Sequence, residues 1–185
     1  MKKILALIMA TLLIVTLSAC GGKPATSDIK DPLELLTTVW NGYAEEDKFP
    51  AAGGDEANSV MQGPGVYGIE DAEAIDYMLG FPPSSVEKID GAASLTHMMN
   101  LNTFTAGAYH VKNSADILGL VTEIKDNILN RQWMCGFPDK LIVVTIDDLY
   151  IVSAFGKNEP IDKFLANIIA AYPQAKTVVD ATIEA

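Results

Sequence analysis

Lys140-Leu141-Ile142-Val143-Val144-Thr145-Ile146-Asp147-Asp148-Leu149-Tyr150-Ile151-Val152-Ser153-Ala154-Phe155 is the stretch that decides the fold. Two runs rich in β-branched and aromatic residues flank a pair of aspartates, residues that tolerate the left-handed turn conformation. The pattern predicts two antiparallel strands, 140–146 and 149–155, joined by a tight hairpin turn.

Working outward, Thr103 to Val111 predicts a further strand, with Phe104, Tyr109 and Val111 as its large apolar residues. A partner strand is expected somewhere in 86–99, blurred by Gly91-Ala92-Ala93. Between the two pairs, Ser114 is placed to cap a helix reaching about Gln132, with Ile117, Leu118, Val121, Ile124, Ile128 and Leu129 on its apolar stripe. After the hairpin, Pro160 or Ile161 opens a helix with Ile161, Phe164, Leu165, Ile168 and Ile169 inward, ending before Tyr172-Pro173. Residues 176–185 are expected either to add an edge strand or to fray.

Toward the N-terminus, Asp31 is the natural N-cap of a helix over 32–46, with Pro32 at its first position and Glu34 in its first turn. Leu33, Leu36, Val39, Trp40 and Tyr43 share one face of it. A second, short helix is predicted over 70–79, stopped by Phe81-Pro82-Pro83. Between these helices, 47–65 carries Phe49-Pro50, Gly53-Gly54 and Gly63-Pro64-Gly65 and reads as a loop with at most a short helical turn. The fold class expected is α+β: an antiparallel sheet of about four strands with helices packed on one face, preceded by N-terminal helices.

Lys2 and Lys3 followed by the apolar run Ile4–Leu17 form the pattern of an export signal. The run is about fourteen residues, short of the roughly twenty that span a bilayer as a helix. Leu17-Ser18-Ala19-Cys20-Gly21 resembles the lipobox of bacterial lipoproteins. That resemblance implies diacylglyceryl and palmitate attachment at Cys20 and cleavage before it. The domain organisation expected is a signal peptide over 1–19, a flexible tether over 20–31 and one α+β domain over 32–185. The location expected is the extracytoplasmic face of the cell membrane, lipid-anchored.

The chain carries 13 basic and 24 acidic residues, a formal net charge of −11. Losing Lys2 and Lys3 with the signal makes the balance more acidic still. Such a surface repels nucleic acid and anionic lipid headgroups, so the lipid must do the anchoring. With Cys20 committed to lipid, Cys135 is the one thiol left and no intramolecular disulfide forms.

Further out again, the lipobox, Val66-Tyr67-Gly68-Ile69 before a short helix and Phe104-Thr105-Ala106-Gly107-Ala108-Tyr109-His110-Val111-Lys112-Asn113 before a long one recur with the Leu141–Phe155 hairpin and the closing helix at Ile161–Ala171. Together they resemble an uncharacterised lipoprotein family of Gram-positive bacteria, a domain of unknown function. Some of its members carry the label bacteriocin transport accessory protein. The resemblance covers most of 32–172, is one of layout, and implies surface anchoring without carrying over an active-site residue.

Candidate chemistry is thin. Trp133-Met134-Cys135-Gly136-Phe137-Pro138 has the flavour of a thioredoxin-like motif, but position 138 is proline where the second cysteine belongs, which favours a structural thiol. His97 and His110 have acidic neighbours yet lack metal-ligand spacing, and Met98-Met99 beside His97 reads as filler before it reads as a copper(I) site. No nucleophile motif, phosphate loop or calcium loop stands out. Glu70, Asp71 and Glu73 are explained as first-turn residues of the short helix, and Glu45-Glu46-Asp47 as a helix-terminal cluster. The expectation is therefore a non-enzymatic binding or accessory module with an envelope protein partner, no catalytic residue, no metal and no cofactor. The alternative is an envelope-associated enzyme of unrecognised type.

Overall fold

The computed structural model describes residues 29–134 and 136–184. The expected signal peptide, Cys20, most of the tether and Cys135 lie outside them.

The class is α+β and the sheet is antiparallel, but it has eight strands where about four were expected. They are β1 (Ala51–Gly53), β2 (Val60–Met61), β3 (Gly65–Tyr67), β4 (Ile89–His97), β5 (Phe104–Val111), β6 (Lys140–Ile146), β7 (Tyr150–Gly156) and β8 (Lys176–Thr182). The order across the sheet is β2-β1-β4-β5-β7-β6-β8, with β3 also paired to β4. β1 and β3 lie end to end along one edge of β4, since Ala51 pairs with His97 and Tyr67 with Ala92.

The helices are α1 (Pro32–Asn41), α2 (Ala72–Leu79), α3 (Ile117–Leu129) and α4 (Asn158–Ala171). They cover both faces of the sheet and not one, because the central strands are apolar on both sides. Ala106, Ala108, Ile142, Val144 and Val152 pack with Leu36 and Val39 of α1 and Ile161, Phe164 and Ile168 of α4. Tyr109, Val111, Leu141, Val143 and Ile151 pack instead with Ile75 and Leu79 of α2 and Leu120, Ile124 and Ile128 of α3. Successive residues of a strand point to opposite faces, so the unbroken apolar run of β6 feeds both layers.

Other corrections are local. α1 stops at Asn41, and Gly42 N–H caps Val39 and Trp40 carbonyls. α3 begins at Ile117 and not at Ser114, because Asn113 accepts from Ala115 N–H and holds Ser114–Asp116 as a 3-10 turn. Its buried stripe contains Leu120, while Leu118 is 74% exposed. α4 starts at Asn158, and Ile169 faces outward.

The stretch read as a loop over 47–65 is ordered by β1, β2 and the first residue of β3. Its glycines permit a close backbone crossing: a Cβ on Gly53 would lie 2.3 Å from the Gly65 nitrogen. Gly107 serves the centre of the sheet in the same way. A Cβ there would lie 2.1 Å from the hydroxyl of Tyr109, whose ring is fully buried against Phe81. Burial pushes the Tyr109 hydroxyl well above the ordinary tyrosine value, and Ser153 on the neighbouring strand offsets part of the shift.

The described chain starts beside the β6–β7 turn, where the Tyr150 hydroxyl donates to the Ile29 carbonyl at 2.8 Å. The turn itself places Asp147 and Asp148 in the left-handed region, φ 52° and 53°.

Candidate functional site

Two adjoining depressions flank α2, and Met78 borders both. The first, a cleft of about 630 Å³, lies between the loop after β1 and the start of α2. Asp55 organises it. Its Oδ2 accepts from Gly68 N–H at 2.6 Å, and its Oδ1 accepts from the Asn58 backbone N–H at 2.8 Å and the Asn58 amide at 2.9 Å. Desolvation acts against the charge, but the N–H groups of Gly68, Asn58 and Ala57 outweigh it and hold the carboxyl below the ordinary aspartate value. Asp71 is the N-cap of α2, accepting from Glu73 and Ala74 N–H groups at 3.1 and 3.0 Å. Glu56 and Glu70 complete a rim of four carboxylates, and among the described residues no basic one lines the cleft. Tyr67 closes its floor, its hydroxyl donating to the Ala74 carbonyl at 3.2 Å. Burial, then the charges of Asp55 and Asp71, raise the Tyr67 hydroxyl above the ordinary tyrosine value.

The second depression, about 250 Å³, is apolar and aromatic, lined by Tyr77, Met78, Leu101, Trp133, Met134 and Phe155 among others. Four segments build it, the first being β7, which supplies Phe155. α2 supplies Tyr77, 75% exposed, from the face opposite its buried Ile75 and Leu79. The turn 98–103 supplies Leu101 and is fixed by His97, whose Nδ1 accepts from the Met99 and Asn100 N–H groups at 3.2 and 3.3 Å. The linker from α3 to β6 supplies Trp133 and Met134. It is tied to the turn by Asn102, whose amide donates to the Gly136 carbonyl at 2.9 Å and the Met134 carbonyl at 3.3 Å.

Trp133 leans on Phe155, ring centroids 5.1 Å apart, and the Arg131 guanidinium lies 5.5 Å from its ring. Arg131 also donates to the backbone carbonyl of Asp76, so α2 and the linker are clamped to each other. Met134, in the lining of this groove, is 81% exposed.

The two histidines singled out by their chemistry line neither depression. His97 and His110 do not meet: His97 lies beside Ala51 at the Phe104 end of the sheet, whereas His110 pairs with Tyr150 at the other end. The His97 ring stacks on Phe49, and His110 Nδ1 lies 2.5 Å from Asp90 Oδ1. Among the described residues no group of three or more His, Cys, Asp and Glu is placed to hold a metal ion. Met98 and Met99 follow His97 in the exposed turn, and Met61 sits on the β2 edge, so the methionines are divided between separate surfaces. Cys20 and Cys135 lie outside the described residues.

The groove residues do not announce themselves in the sequence. Trp133-Met134 stands out there only as part of a redox-like motif, and Tyr77 falls off the α2 stripe. An aromatic residue off the stripe of an amphipathic helix is the signal that could have found it.

No family model matches the chain, and neither a curated protein nor a solved structure matches it.

Proposed function

We propose that this chain is a lipoprotein anchored through Cys20 on the extracytoplasmic face of the cell membrane, where it acts as a non-enzymatic binding or accessory module for an envelope protein partner. The observation that carries the binding reading is the groove in which exposed Tyr77 and Met134 stand with half-buried Trp133 and Leu101 and with Phe155. Large apolar side chains gathered on one surface are costly to leave in water, and their usual purpose is a partner.

Position supports the reading. The tether enters beside Tyr150, while the cluster sits by Gly156 at the opposite end of β7, roughly 20 Å away at the rise of a strand. The surface thus lies at the end of the sheet away from the tether, where it can meet other envelope components. Asp55 and Asp71 already accept backbone N–H groups, which commits both carboxylates to holding the local backbone. Asp55, held below its ordinary value, is a poor proton donor at neutral pH.

The experiment is a photo-crosslinking amino acid at Tyr77 in the full chain in intact cells, with the same probe on the outer face of α3 at Leu118 as the comparison. A discrete adduct specific to Tyr77 is the expected result. Adducts no different from those at Leu118 would end the reading. The anchor is tested separately by Cys20→Ser, which should abolish incorporation of labelled palmitate and release the protein from the membrane fraction.

A further inference from the structure

We propose that the groove and the cleft along α2 form one composite site for a basic segment of the partner, apolar side chains seated against Trp133 and lysine or arginine side chains lying among the carboxylates. The inference rests on the binding reading above and names the chemistry of what binds.

The two depressions are neighbours and opposites. Met78 belongs to both, and the eight residues of α2 set the distance between their ends at about 12 Å. That is the reach of four or so extended residues. At one end stand Tyr77, Leu101, Trp133, Met134 and Phe155; at the other, Asp55, Glu56, Glu70 and Asp71 with no basic residue lining the cleft among the described residues. Arg131, the one basic residue among the described residues that line the apolar end, is held by Trp133 and Asp76. A bilayer does not fit this surface: the tether enters at the other end of the sheet, and four carboxylates beside the groove repel anionic headgroups. An acidic or purely apolar segment would leave the carboxylates facing like charge or nothing. A segment carrying apolar residues and then basic ones satisfies both ends at once.

Both ends can be altered without disturbing the core, since Tyr77, Met134, Glu56 and Glu70 are exposed. The probe is a fluorescein-labelled synthetic peptide, Leu-Trp-Leu-Gly-Lys-Arg-Lys, titrated by fluorescence anisotropy against the full chain purified in detergent. Two control peptides replace its basic residues by glutamate or its apolar residues by serine. Saturable binding is expected for the first peptide alone, weakened about tenfold or more by Met134→Asp or by the Glu56→Lys, Glu70→Lys pair. Raising the salt concentration should weaken it further. Absence of saturable binding, equal binding of the glutamate peptide, or indifference to both sets of substitutions overturns the proposal. A Tyr77 adduct in cells alongside any of these results would leave the binding module standing and remove only the basic segment. Loss of the adduct as well would remove both.

Discussion

Asp55 shows how much one side chain in an apparent loop can hold. It satisfies Gly68 N–H and both donors of Asn58, joining the end of β1 to the residue that follows β3. Asp55→Ala leaves Gly68 N–H and the Asn58 amide without their acceptor, while Asn58 N–H keeps the residue 55 carbonyl, and should cost about 1–2 kcal/mol in a denaturant melt, more than a loop position is normally worth. The pH dependence follows from the direction of its shift. The carboxyl is held low in the fold and returns to about 3.9 when unfolded, so the unfolded chain binds the proton more readily and stability rises with pH through this window. The contribution is complete above the unfolded value and lost as pH falls through the lower native one. The gap between wild type and Asp55→Ala should therefore narrow below about pH 4; a gap independent of pH would show that the charge plays no part. Asp148 offers a gain in place of a loss. It sits at φ 53°, where an L-residue is disfavoured and glycine is not. Asp148→Gly should raise the unfolding free energy by about 0.5–1 kcal/mol, and any decrease would point to a contact of the Asp148 side chain. The aspartate pair is legible as a turn from sequence; the link from Asp55 to Gly68 is not, because it is set by a chain crossing 13 residues away in sequence.

Among the elements, the hairpin and the helices α1, α3 and α4 are legible because their apolar periodicity is local. What sequence reasoning misjudges is the number of layers. Leu141-Ile142-Val143-Val144 runs apolar without alternation, the pattern of a strand covered on both faces, whereas helices on one face alone would bury only one side of it. The short strands β1, β2 and β3 are invisible for another reason. With two or three residues each they carry no period, and glycine, present for the close crossing at Gly53 and Gly65, looks like loop punctuation. Two-sided burial makes a specific claim about energetics. Ile124 of α3 and Val143 of β6 are wholly buried in the layer under α2 and α3, and Ile142 is wholly buried in the other. Ile124→Ala, Val143→Ala and Ile142→Ala should each cost about 2–4 kcal/mol, whereas Leu118→Ala on the outer face of α3 should stay within about 0.5 kcal/mol. A negligible loss at Ile142 beside a large one at Val143 would contradict a helix layer on both faces. The groove is legible only at this scale too, since α2, the 98–103 turn and the α3–β6 linker meet through contacts that no local pattern encodes.

For the whole molecule, the sheet order implies a gradient of stability from its centre outward. β5 and β7 each have a paired strand on both sides and helices over both faces, so their amides open only when the fold as a whole opens. β8 pairs with β6 alone, through a register shift between Val143 and Val144, and most of its residues are exposed. β2 is two residues long, and both are exposed. Hydrogen exchange on the full chain should therefore find the amides of Phe104–Val111 and Tyr150–Gly156 slowest, at rates that track global stability in added denaturant. Those of Lys176–Thr182 not bonded to β6 should exchange by local opening, with little denaturant dependence. The loop after β1 should fall between these limits, because Gly54 N–H donates to Ser94 Oγ at 2.9 Å and Asp55 clasps Gly68. Adding the partner segment should slow exchange around Asn58 and in the 131–134 linker and leave β8 unchanged, since the groove and the free edge are separate surfaces. Protection of the whole of β8 to the level of β7 would mean that another strand covers this edge, and the partner surface would then have to be sought there and not along α2.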